Sequence, residues 1–142
     1  MRIAYVLSLV VSMGLAPVLA RQGLHPKEPH KHPESAKLQN PVPSTPASIE
    51  AGKKLYADLC AACHGDTGKG DGAMAAFTGD PVPSDLTDAE WRHGSSDGEI
   101  FAVIRDGVEG TGMKDFKDMK PNDIWNIVNY VKTLAPKPAK NH

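Results

Sequence analysis

Apolar residues recur at helical spacing in three stretches of the chain, and no stretch shows a convincing strand alternation. The first stretch starts at Thr45, a helix N-cap followed by Pro46 at the first helical position. Ile49, Leu55, Tyr56 and Leu59 form its apolar face. Gly52 sits inside it, at a cost of about 1 kcal/mol against alanine, which points to close approach by another helix. The second helix starts at Ser96, with Glu99 completing a capping box. Ile100, Phe101, Val103 and Ile104 form its core face, and Gly107 stands at its C′ position. The third starts at Pro121, carries Ile124, Ile127, Val128, Val131 and Leu134, and stops at Pro136. The fold class is therefore all-α. Between the first two helices runs a loop from Gly65 to Ser95, rich in Gly, Asp and Pro. A loop that long in a compact domain needs something to wrap around.

The flanks have a different pattern. Arg2 precedes a nearly continuous apolar run from Ile3 to Leu15, and Val18-Leu19-Ala20 offers small residues for signal cleavage. Residues 1–20 are thus expected to be a secretory signal, or an uncleaved anchor; both place the remainder outside the cytoplasm. Residues 21–44 contain Pro26, Pro29, Pro33, Pro41 and Pro43, few apolar positions and no period. They are expected to be a disordered linker whose His25, His30 and His32 are solvated. The folded domain is expected to span 45–136, and 137–142 to form a disordered tail.

With 142 residues there is room for one domain and its tails. The net charge of −1 conceals a division. Residues 45–136 hold nine Lys/Arg against fifteen Asp/Glu, whereas 21–44 hold four against two. An acidic domain argues against nucleic acid as a partner.

Both cysteines lie in Cys60-Ala61-Ala62-Cys63-His64, the C-x-x-C-H signature of c-type haem attachment. Two thiols at this spacing can each form a thioether to a porphyrin vinyl group, and the adjacent imidazole then lies under the iron. A thioredoxin-like pair would need a βαβ context, and a zinc site would need a second ligand pair. Together with the helix bearing Gly52 and Tyr56, the loop Gly68-Lys69-Gly70-Asp71-Gly72, Met113 with Phe116, and the last helix around Asp123–Val131, the sequence resembles a class I cytochrome c over residues 45–136.

That resemblance implies the cytochrome c fold around one covalent haem c. Its first and last helices would cross with Gly52 and Tyr56 against Ile127 and Tyr130. It implies His64 and Met113 as axial ligands, with Met119, Met74 and His93 as the other sixth-ligand candidates. A thioether ligand raises the potential of a histidine-ligated haem. Lys114 follows Met113 where the family usually has proline, which leaves that loop less stiff. In the family a proline carbonyl accepts the Nδ1–H of the haem histidine; Pro81 and Pro83 are the candidates here. Trp91 and Arg92 are candidates for the haem propionates, and Leu86, Phe101, Ile104 and Phe116 for the pocket wall.

Two axial ligands leave no open iron position. The implied function is a one-electron carrier, not itself an enzyme, working as a monomer between periplasmic or membrane-bound redox proteins. A haem enzyme or gas sensor with a labile sixth ligand is the alternative. Lys114, Lys117 and Lys120 alternate with Asp115, Asp118 and Asp123 and would form a small docking rim.

Overall fold

A computed structural model describes residues 25–136 of the chain. The signal or anchor expected at 1–20 and the tail expected at 137–142 lie outside the described residues. Five α-helices follow in order: α1 (Pro33–Ala36), α2 (Pro46–Leu59), α3 (Ala61–His64), α4 (Asp97–Asp106) and α5 (Pro121–Leu134). A 3-10 turn, Ala75–Phe77, interrupts the long loop. The described residues include no strand, only an isolated parallel bridge between His25 and Val108. The architecture is all-α, as the periodicity indicates, and no described helix is long and apolar enough to cross a membrane.

The caps read from the sequence are present. Thr45 accepts from the Ser48 backbone N–H, and the Ser48 hydroxyl reciprocates toward the Thr45 N–H, so Ser48 completes a capping box. Ser96 and Glu99 form the second box, and Gly107 closes α4 with φ 70°. α2 and α5 cross at Gly52. A Cβ there would run into the Asn126 carbonyl and would stand 3.0 Å from the Tyr130 Cβ. The Tyr56 and Tyr130 rings pack 5.1 Å apart beside this crossing. Ile124, Ile127 and Val128 of α5 are fully buried, and Phe101 of α4 stacks on Trp125 at 4.1 Å.

The segment before α2 departs from the expected disordered linker. Between His25 and Ser44 it forms a strap along the domain. His25 N–H donates to Gly107 O, Glu109 N–H to His25 O, and His30 N–H to Arg92 O. α1 rests on Gly98, where a Cβ would strike Ser35 O. Further on, Asn129 of α5 is buried and donates to Val42 O and Ser48 Oγ, while its Oδ1 accepts from Asn40. Proline and low apolar content leave only the one-turn α1 as regular structure in this segment, but they do not prevent its backbone polar groups from pairing with a neighbouring surface.

Candidate functional site

α2 ends at Leu59, and Cys60 is at once its C-cap and the start of α3, so the C-x-x-C-H sequence forms one further helical turn. The Tyr56 hydroxyl, buried, donates to Gly65 O at 2.8 Å and ties this turn back to α2. The glycine-rich loop then satisfies the carbonyls of the turn. Gly70 N–H donates to His64 O, Gly72 N–H to Cys63 O and Met74 N–H to Ala62 O. Gly72 must lack a side chain, because a Cβ would meet the carbonyls of Ala61 and Ala62. Glycines at 68, 70 and 72 thus allow the loop to fold flat against the cysteines.

Cys60, Cys63 and His64 line a large, mainly apolar cleft whose walls include Leu86, Ile100, Ile104, Phe116, Ile127 and Val131. Met113 enters the same cleft from the loop between α4 and α5. Its backbone is fixed by Thr111 Oγ1, which accepts from Met113 N–H at 3.1 Å, and by Val108 N–H, which donates to Met113 O at 2.9 Å. Gly112 N–H donates to Thr78 O at 2.7 Å and joins this loop to the long one.

The other candidate sixth ligands divide cleanly. Met74 is 49% exposed. Met119 packs against the helical core. His93 lines the cleft, but its ring lies 4.9 Å from that of His30. Trp91, Arg92, Pro81 and Pro83 all line the cleft as well.

One support differs from the expectation. The Nδ1 of His64 lies 3.4 Å from Ser84 O, and neither Pro81 nor Pro83 is its partner. A carbonyl can only accept, so this contact calls for the proton on Nδ1 and leaves the Nε2 lone pair free for a metal. Burial lowers the His64 pKa, against an opposing effect of the Ser84 carbonyl, so the ring is neutral and able to ligate at neutral pH. The Cys60 thiol is pushed up to about 11, chiefly by burial and further by Cys63. A redox-active dithiol needs a lowered thiol pKa, and the burial of Cys60 works in the opposite direction.

The donor set fits a c-type haem. Two thiols and a neutral imidazole share a single turn, a thioether comes from a separate loop, and the space between is apolar.

Comparison with known proteins agrees. The family model for cytochrome c oxidase, cbb3-type, subunit III, matches residues 47–131. The cbb3-type cytochrome c oxidase subunit FixPc of Rhizobium leguminosarum bv. viciae is 49% identical over 63 residues, 44% of this chain and 20% of that protein. The quinohemoprotein alcohol dehydrogenase ADH IIB of Pseudomonas putida is 29% identical over 109 residues, 72% of this chain and 14% of that one. The chain therefore spans about a fifth of the length of the first of these relatives. Among solved structures, the Kuenenia stuttgartiensis reducing HAO-like protein complex Kustc0457/Kustc0458 matches with TM-score 0.64 and 32% identity, over 71% of this chain and 49% of that one. Cytochrome cL from Methylophaga aminisulfidivorans shares the fold, with TM-score 0.51 and 22% identity over 63% of this chain and 57% of that one. With its cleft, its C-x-x-C-H turn and a family match over most of the folded part, the chain belongs to the cbb3-type subunit III family of class I c-type cytochromes, whose cofactor is a covalently bound haem c.

Proposed function

We propose that the chain is an exported one-electron carrier, with Cys60 and Cys63 as thioether anchors and His64 and Met113 as the two axial ligands. The observation that carries this reading is the convergence of His64 and Met113, from two separate elements, on one apolar cleft. The bound haem supplies a ferric/ferrous couple. The chain's own residues do the rest. Cys60 and Cys63 would hold the haem to α3 through thioether bonds. The Ser84 carbonyl holds the His64 tautomer and raises its basicity as a ligand. Ile100, Ile104 and Val131 keep water from the cleft, and the Thr111 hydroxyl and Val108 N–H hold Met113 in place. Trp91 and Arg92 line the cleft as groups suited to the propionates.

The relatives named as oxidase subunits support a donor or relay role toward a membrane-bound terminal oxidase. The partners on this reading are redox proteins, and catalysis belongs to them. An optical spectrum of the holoprotein tests the ligation. A low-spin reduced spectrum with a weak methionine–iron charge-transfer band is expected, and Met113→Ala should abolish that band and lower the potential. An unchanged band in Met113→Ala would move the ligand elsewhere. High-spin ferrous haem that binds carbon monoxide readily in the unaltered protein would instead favour a sensor or enzyme.

A further inference from the structure

Four imidazoles, three of them outside the haem cleft and the fourth the cleft-lining His93, gather where the strap crosses the end of α4. His25 is 94% buried, as only 6% of it is exposed. Its Nδ1 lies 2.7 Å from His32 Nε2. The His30 ring is 4.2 Å from that of His32 and 4.9 Å from that of His93, which comes from the long loop. One ring nitrogen from each of His25, His30 and His32 falls within 4.8 Å of the other two. Three ring nitrogens here are buried with no hydrogen-bond partner among the described residues: His25 Nε2, His30 Nε2 and His93 Nδ1. Orphaned buried nitrogens are costly. A cation that accepts the lone pairs of His30 Nε2 and His93 Nδ1 satisfies two of the three.

The outer contacts have the form that supports metal-binding histidines. His30 Nδ1 lies 2.6 Å from Glu28 O, a pure acceptor, so the proton belongs on Nδ1 and the Nε2 lone pair is free. His25 Nε2 faces the Asp106 carboxylate at 3.6 Å; in the tautomer with its proton on Nε2, the Nδ1 lone pair points toward His32. Two nitrogens bound to one tetrahedral ion stand about 3.4 Å apart, so the His25–His32 pair need open only slightly to admit it. Burial, then the neighbouring imidazoles, hold His32 below its usual pKa and His93 at about 4. Both are neutral, and competent as ligands, at neutral pH. Glu99, whose Oε1 accepts from His32 N–H, Asp106 and Lys31 are the fixed charges around the cluster, together with Arg92 beside His93.

We propose that His25, His30 and His32 bind a divalent transition-metal ion of the zinc–copper class, with His93 as the fourth ligand, in a site separate from the haem. All-imidazole donors suit zinc, copper and nickel and exclude magnesium or calcium. The ion clamps the strap to the domain. His25 is bridged to Val108, and Val108 N–H donates to Met113 O, so the clamp also stiffens the loop that carries Met113.

Zinc is the probe. Untagged holoprotein, stripped with chelator and titrated with zinc, is expected to take up one ion per chain with a dissociation constant below about 1 µM. Zinc at about a hundredfold excess over that constant should raise the melting temperature by roughly 4 °C or more. The zinc X-ray absorption edge should show nitrogen neighbours at about 2.0 Å with imidazole scattering. The double variant His30→Gln/His32→Gln, its haem spectrum unchanged, should bind at least about a hundredfold more weakly. Stoichiometric binding that survives this variant, no binding to the unaltered chain at micromolar zinc, or an oxygen shell without imidazole would each overturn the proposal. The absorption measurement needs only the unaltered protein, so the question is decided even if the variant fails to fold.

Discussion

Gly52 is the position at which one atom matters most. The α2–α5 crossing leaves no space for a Cβ between Gly52 and the Asn126 carbonyl, and backbone cannot rotate away as a side chain tip can. Gly52→Ala is therefore expected to destabilise the holoprotein by about 2–3 kcal/mol, despite alanine's better helix propensity. Tyr56→Phe keeps the ring against Tyr130 but strands the Gly65 carbonyl, at an expected cost of about 1–2 kcal/mol. Denaturant titration followed by haem absorbance checks both, and a Gly52→Ala protein as stable as the parent would refute the crossing. Gly52 was legible in the sequence because an interior helical glycine needs a reason. The His64 partner was less so. Pro81, Pro83 and Ser84 lie within four residues of one another, and which carbonyl faces the ring depends on how the loop folds, which no residue type in it determines.

At the scale of elements, α4 links the two halves of the chain. Its capping residue Glu99 is buried and accepts from Ser96 N–H, Ser96 Oγ and, 67 residues away in sequence, His32 N–H. Burial pushes the carboxyl pKa up, but these hydrogen bonds and Lys31 outweigh it and hold it below the usual 4.5. As pH falls through 4.5 the unfolded chain takes up this proton before the folded one does. The contribution of Glu99 is thus complete above that pH and is lost below it. Glu99→Gln should cost about 1 kcal/mol at pH 7, and the gap from the parent should narrow in melts below pH 4.5. A gap that stays constant, or widens in acid, would show that the charge is not what matters. The three long helices were readable because cap, period and stop signal agree for each. The strap was not, because its order comes from partners such as Glu99 and Asn129 that lie far along the chain, and composition carries no trace of them.

For the whole molecule, the cleft decides what the chain can do alone. Leu86, Ile100, Ile104, Phe116 and Val131 belong to the core packing and at the same time line the cleft. The haem supplies the missing contact, which is why a loop of some thirty residues could be read from the sequence as wrapped around something. A domain of this size buries only a modest fraction of its surface, and an opened cleft of this kind removes much of that. Cys60→Ala/Cys63→Ala, which cannot form the thioethers, is therefore expected to yield a largely unfolded apo chain. Its far-ultraviolet circular dichroism should lack most of the native helical signal and show no cooperative melt. The α2–α5 pair is the element to watch, because its contacts at Gly52, Tyr56 and Tyr130 need no haem. Residual helix confined to that pair is compatible with the argument, whereas a cooperative transition of native amplitude would mean that the polypeptide closes the cleft without its cofactor.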